Sequence, residues 1–182
     1  MDYKMTIAGL ERHLPLCRIT DDLYIAGFVM FDDVEMTVAC AEEMLKLTPD
    51  FDIIVTAESK GIPLAYEMAR QSGKPYIVAR KKAKLYMQDI VEVQVNSITT
   101  AHVQTLCLGR KEREQMDGKR ILIVDDVIST GESLAALEQL VDAVDGDVVG
   151  KCAVLAEGEA ADRKDIIFLE YLPLFNAEGE PQ

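Results

Sequence analysis

The feature that most restricts how this chain can fold is Ile121-Leu122-Ile123-Val124, an aliphatic run that ends on two adjacent acids, Asp125 and Asp126. An unbroken apolar run of strand length belongs to an internal strand of a parallel sheet, covered on both faces. Val127-Ile128-Ser129-Thr130-Gly131 follows, and from Glu132 to Val144 the spacing predicts a helix. Strand, loop and helix in that order put the loop at the carboxyl end of a strand, where open α/β sheets bind ligands.

The pattern recurs along the chain. Phe51 to Ala57 reads as a second buried strand, and Glu58-Ser59-Lys60-Gly61 leads from it into a helix over Ile62 to Gln71. Gly73-Lys74-Pro75 then turns the chain into Tyr76-Ile77-Val78-Ala79, a third strand, while Val148 to Ala156 and Ile166 to Leu169 supply two more. Earlier, Leu23 to Met30 reads as a strand or extended segment. Val34 to Leu47 is helical by periodicity, with Val34, Val38, Ala41 and Leu45 on one face, Asp32 or Asp33 as the cap and Pro49 as the stop. Alternating elements of this kind predict an α/β fold, a parallel twisted sheet with right-handed crossovers and helices on both faces. Residues 91–108 depart from it: Val91, Val93, Val95 and Val103, Thr105, Cys107 alternate on either side of a polar stretch, which is a hairpin pattern. The length suits one domain over residues 1–182, with residues 176–182 expected to fray.

Charge narrows the partners. A formal net charge of -13 opposes nucleic-acid binding by the chain as a whole, so any site for a polyanion must be local. The basic run Arg80-Lys81-Lys82-Ala83-Lys84 stands out against that background. Cys17, Cys40, Cys107 and Cys152 have neither close pairing nor metal-type spacing, which suits reduced thiols in a cytoplasm. No stretch approaches the roughly 18 apolar residues of a membrane span, and the N-terminus lacks the pattern of a signal peptide. The expectation is a soluble, cytoplasmic protein with no membrane or nucleic-acid partner.

The loop after the acids has phosphate-binding chemistry. Ser129-Thr130-Gly131-Glu132-Ser133 can wrap an anion with successive backbone N–H groups, with Gly131 permitting close approach at a helix N-terminus. It has neither the Lys-Ser or Lys-Thr ending of a nucleoside-triphosphate loop nor the glycine spacing of a dinucleotide site. Two carboxylates cannot hold the phosphate, so they imply a ligand that also carries hydroxyls or a developing positive charge. A sugar 5-phosphate answers both demands. Helix capping accounts for one of the acids but poorly for both.

The run from Ile121 to Ser133 closely resembles the phosphoribosyl-diphosphate signature of the type I phosphoribosyltransferases: four apolar residues, two acids, three variable positions, then Thr-Gly. By that resemblance Asp125 and Asp126 are the catalytic pair, binding the ribose hydroxyls, and Ser129, Thr130, Gly131, Glu132 and Ser133 hold the 5-phosphate. Glu58, Ser59, Lys60 and Gly61 become the diphosphate loop, with Gly61 allowing an unusual backbone conformation and Arg80, Lys81 and Lys84 adding charge. The hairpin at residues 85–108 resembles the flexible loop that closes over the substrates, with Thr99, Thr100 and His102 at its tip. Where the adenine enzymes carry a loop glutamate this chain has Thr99 or a neighbour, and His102 is either its substitute or a bystander.

Lys84-Leu85 is similar to the end of a basic segment in adenine phosphoribosyltransferases. Lys60 to Ala65 and Val103-Gln104-Thr105 are similar instead to the xanthine enzymes and to the effector domain of a bacterial purine repressor. The resemblance also implies a small hood that includes residues 1–33, a homodimer, and Mg held by the ligand with no direct protein ligand. The function it implies is Mg-dependent transfer of phosphoribose from phosphoribosyl diphosphate to a purine base, adenine first, with release of diphosphate. The alternative is a non-catalytic regulatory protein that binds phosphoribosyl diphosphate on the same fold.

Overall fold

The computed structural model describes residues 1–96 and 103–182. Its strands are β1 (Asp2–Ile7), β2 (Leu10–Arg18), β3 (Tyr24–Ala26), β4 (Ile53–Ala57), β5 (Tyr76–Ala79), β6 (Val91–Asn96), β7 (Val103–Leu108), β8 (Arg120–Ile128), β9 (Asp147–Glu157) and β10 (Ile167–Leu172). Its α-helices are α1 (Val34–Leu47), α2 (Ile62–Ser72), α3 (Arg110–Met116) and α4 (Glu132–Asp142).

The central sheet has the order β10-β9-β8-β4-β5 and is parallel throughout. From β4 the chain proceeds outward to β5, and from β8 it proceeds the other way to β9 and β10. The order therefore reverses between β4 and β8, and that is where an open sheet leaves a crevice at its carboxyl ends.

Alternation within the strands divides the core. Ile54, Leu122 and Val124 face one side with α1 and α2, where Met36, Cys40, Met44, Leu64 and Met68 are buried. Ile53, Val55, Ile121 and Ile123 face the other, against Leu134, Leu137, Leu140 and Val141 of α4. The helices thus cover both faces, as the β-α alternation predicts. The antiparallel hairpin β6-β7 leans on α4, and its Leu106 and Leu108 enter the same cluster.

Several local expectations are corrected. Asp33 caps α1 by accepting from Met36 N at 3.0 Å, but the helix buries Met36, Cys40, Ala41 and Met44, leaving Val34 75% and Val38 37% exposed. β8 runs past both acids to Ile128, because Val127 and Ile128 still pair with Leu155 and Ala156 of β9. Residues 1–18 form the hairpin β1-β2, which the sequence reading left unassigned, and β3 joins it as a third strand. The end of the chain is tied rather than frayed: Asn176 Oδ1 accepts from Glu178 N at 3.1 Å and Glu180 N at 2.8 Å, and Gln182 N donates to Leu174 O at 2.8 Å.

The corrected face of α1 is directly testable. Truncating a fully buried methionine removes its contacts and leaves a cavity, so Met44→Ala is expected to cost about 2–5 kcal/mol. Val34→Ala should stay within about 0.5 kcal/mol. Urea denaturation of the two variants measures the difference; equal losses would reverse the assignment of the buried face.

Candidate active site

The crevice between β4 and β8 opens into a cleft of 670 Å³ whose lining includes Glu58, Ser59, Lys60, Asp125, Asp126 and Ser133. The cleft thus brings residues 58–60 together with the acid pair and with Ser133, whereas Gly61, Ser129, Thr130, Gly131 and Glu132 are not among its lining residues. The strand order produces this, since β4 and β8 are neighbours and both end there.

Gly61 also packs against the carboxyl half of β8. Gly61 has φ -76 and ψ -10, ordinary helical values, so the expected unusual conformation at this residue is not what calls for glycine. What does is space. A β-carbon at position 61 would stand 2.5 Å from Thr56 Oγ1, 3.1 Å from Asp125 Oδ1 and 3.2 Å from Asp125 Cα. The Glu58–Ser59 peptide beside it is cis.

The two acids differ in setting. Asp126 is 3% exposed, and its Oδ2 is buried without a hydrogen-bond donor; Lys60 Nζ approaches it to 3.2 Å as an ion-pair contact only. Asp125 Oδ1 accepts from Asp126 N at 2.9 Å. Burial first, and then the neighbouring Asp126 carboxylate, push Asp125 well above the usual carboxylate range, while Lys60 opposes the shift. A second buried atom, Thr56 Oγ1, also lacks a hydrogen-bond partner. Thr56 is fully buried beside Gly61 and does not line the cleft, so of the two only Asp126, which does line it, marks where a ligand or water would bond.

At the loop before α4, Gly131 has φ 80, which only glycine adopts readily. Ser129 and Thr130 are exposed, Gly131, Glu132 and Ser133 are partly so, and Glu132 N donates to Thr130 Oγ1 at 3.5 Å. The basic run is split. Lys81, with Lys82, lines the cleft, whereas Arg80 and Lys84 are not among the lining residues. Arg80 donates through Nη1 to Glu58 Oε1 at 3.3 Å and through Nη2 to Tyr86 Oη at 2.9 Å, and Lys84 Nζ stands 3.8 Å from Glu58 Oε1. Lys81 N donates to Glu58 Oε2 at 3.0 Å, and this bond, aided by the surrounding charges, holds Glu58 below its ordinary range. Glu58 therefore folds the basic run against the cleft. Thr99, Thr100 and His102 lie outside the described residues.

Sequence reasoning named Lys82 in the basic run and gave no site role to Glu92 and Thr105 of the hairpin, which neighbours distant in sequence place at the cleft. Glu157, at the end of β9, is pushed up by burial, with Lys60 opposing. Among the described residues no group of three or more His, Cys, Asp or Glu could hold a metal ion, and no helix is long and apolar enough to cross a membrane.

A model of the phosphoribosyl transferase domain matches residues 37–178. The chain belongs to that family. It is 36% identical over 117 residues to a xanthine phosphoribosyltransferase of Exiguobacterium, covering 64% of this chain and 60% of that protein. It is 30% identical over 175 residues to the purine biosynthesis transcriptional repressor PurR of Bacillus subtilis, covering 93% of this chain and 56% of the repressor. An adenine phosphoribosyltransferase of Cenarchaeum symbiosum is 34% identical over 124 residues, with 60% of this chain and 63% of that protein covered. The chain thus spans between 56% and 63% of the length of these curated relatives. Among solved structures, the adenine phosphoribosyltransferase of Saccharomyces cerevisiae superposes with a TM-score of 0.68 at 18% identity, over 86% of this chain and 92% of that one. That of Thermoanaerobacter pseudethanolicus gives 0.66 at 22%, over 78% and 84%. These likenesses establish the type I fold.

The raised Asp125 makes stability pH-dependent. A folded-state pKa above the ordinary 3.8 means that the folded protein keeps a proton which the unfolded chain has lost, so stability falls as pH rises from that value through the folded one. Asp125→Asn removes the charge and keeps the acceptor oxygen. Its melting temperature relative to the parent is expected to be higher at pH 8 than at pH 5 by about 2 °C or more. Thermal melts of both proteins at the two pH values measure this; the same difference at both would show that Asp125 carries no burial penalty.

Proposed function

We propose that this chain is a purine phosphoribosyltransferase, transferring phosphoribose from phosphoribosyl diphosphate to a purine base with release of diphosphate. The observation that carries the reading is one cleft lined by Glu58, Ser59 and Lys60, by the acid pair and by Ser133, with Gly61 packed against Asp125. In this reading residues 129–133 take the 5-phosphate on backbone N–H groups and the Asp125-Asp126 pair takes the ribose hydroxyls. Residues 58–61, with Lys81 and Lys82 on the same wall, take the diphosphate. A base nitrogen attacks C1 as diphosphate leaves, and the two carboxylates stabilise the cationic sugar that develops. The reaction needs positioned charge more than a protein nucleophile.

Magnesium suits this donor set. Mg²⁺ is ordinarily held by one or two carboxylates together with substrate phosphates rather than by an all-protein cage. The buried Oδ2 of Asp126, which has no hydrogen-bond partner and pairs only with Lys60, is an oxygen of the right type on a residue that lines the cleft. Asp125 and Asp126 are the residues that would meet the ion, in place of the ligand-only holding that the resemblance implies, and the ion would neutralise diphosphate charge. Adenine is the first choice of base, supported by the adenine phosphoribosyltransferases among the relatives and structural neighbours. Relatives named for xanthine and for hypoxanthine/guanine keep the choice among purines open to assay. A cytoplasmic homodimer, with residues 1–33 forming part of the hood, completes the proposal.

One observation favours a second reading. The match to PurR spans 93% of the chain, well beyond the reach of the match to the xanthine enzyme. A regulatory protein would bind phosphoribosyl diphosphate through the same cleft without turnover.

The deciding experiment is a diphosphate-release assay with phosphoribosyl diphosphate, Mg²⁺ and a panel of purine and pyrimidine bases. Turnover on a purine is the expected result. Binding of phosphoribosyl diphosphate with no release on any base would select the regulator. Asp125→Asn combined with Asp126→Asn should lower turnover by roughly 10²-fold or more, the scale of losing transition-state charge stabilisation. An unchanged rate in the double variant would remove the pair from the mechanism.

A further inference from the structure

Arg163 belongs to no motif in the sequence, yet it reaches the loop before α4. It follows the 3-10 turn Gly158–Asp162 that leaves β9. Its Nε donates to Asp165 Oδ1 at 3.0 Å and its Nη2 to Asp165 Oδ2 at 2.7 Å, a two-point grip that fixes the plane of the guanidinium. Asp165 Oδ2 also accepts from Lys151 Nζ of β9 at 2.6 Å, and Lys151 Nζ donates to Glu138 Oε1 of α4 at 2.8 Å. The remaining nitrogen of Arg163, Nη1, faces the loop: a β-carbon on Gly131 would stand 2.7 Å from it. Glycine at 131 is required by its left-handed backbone, and its lack of a β-carbon lets the guanidinium lie against it without shifting.

The network contains two cations and two anions, so it adds little net charge to the site. What it adds is connection. Arg163 joins the segment after β9 to the loop that opens α4, while Lys151 joins β9 to the body of the same helix. Asp165 is held well below the usual carboxylate range by Arg163 and then Lys151, so the grip persists over any working pH. Asp165 is half exposed, and ion pairs of that exposure contribute little to global stability. A device of this kind acts on local geometry.

Resting on the reading of residues 129–133 as the 5-phosphate loop, we infer that Arg163 is the positioning residue of that loop. It seats Gly131 in its left-handed conformation, so that the backbone N–H groups are already aimed when a sugar 5-phosphate arrives. It acts through Gly131 and is not itself the phosphate ligand. Preorganised donors bind without an ordering cost, and losing them weakens affinity for the one group they hold.

The test is calorimetric titration of the full chain and of Arg163→Met and Arg163→Lys with two probes, ribose 5-phosphate and inorganic diphosphate with Mg²⁺. Arg163→Met is expected to weaken ribose 5-phosphate roughly tenfold, the scale of one charge-assisted hydrogen bond, while leaving diphosphate affinity and the melting temperature near those of the parent. Arg163→Lys keeps the charge but not the two-point fork, and should recover only part of the loss. Undiminished ribose 5-phosphate affinity in Arg163→Met overturns the inference, as does equal weakening of both probes or full recovery by lysine. Failure of the parent chain to bind ribose 5-phosphate or phosphoribosyl diphosphate would instead overturn the phosphate-loop reading beneath it.

Discussion

The cleft depends on how closely Gly61 approaches Asp125. Neighbouring strands of a sheet lie about 4.8 Å apart, which leaves little room for two loops that leave adjacent strand ends on the same side. At β4 and β8 that space is shared by Thr56, Gly61 and Asp125, and any side chain at 61 would displace one of the others. Because the residue carries no β-carbon, α2 starts directly against the end of β8. The consequence reaches both strand ends: Lys60 is carried to within 3.2 Å of Asp126, and Glu58, Ser59 and Lys60 line the same cavity as Asp125, Asp126 and Ser133.

Charge is arranged around that contact. The chain carries a net -13, and an anionic ligand would meet general repulsion without local correction. Glu58 supplies part of the correction in an indirect way. It is an acid beside the proposed anion site, but its carboxylate is turned onto Arg80, Lys84 and the backbone of Lys81. That draws the basic run over the carboxyl end of β5 and leaves Lys81 and Lys82 on the cleft wall. The acid therefore acts as an organiser of cations.

Much of this was legible in the sequence because it is local. The apolar runs of β4, β5 and β8 are continuous, and the helix over Val34–Leu47 has clear ends. The strand-loop-helix fingerprint at residues 121–133 pointed to the cleft. What stayed hidden was set by partners distant in sequence. On α1, Val34, Val38, Ala41 and Leu45 form one acceptable stripe, and Met36, Cys40, Ala41 and Met44 form another about a third of a turn away, with Ala41 common to both. Only packing against α2 and the sheet chooses the second. Helix α3 buries just Met116, so it has no stripe to read. The β1 hairpin did carry a signal: Tyr3, Met5 and Ile7 alternate with Asp2, Lys4 and Thr6, and Ala8-Gly9 turns the chain with positive φ at both residues.

Arg163 marks the limit of motif reading. A fingerprint records residues that touch a ligand through the backbone near them, and it is silent on what holds that backbone in place. The glycine of the motif was expected to permit close approach of a ligand. Its left-handed φ and the guanidinium 2.7 Å from where a β-carbon would be show that another part of the protein uses the same freedom. One small residue thus serves two neighbours. The same economy holds at Gly61, where the strand partner, not the ligand, imposes the requirement. In both loops the glycine is fixed by contact with the rest of the fold, which is why loops that must keep a set shape for an anion are built where parallel strands end side by side.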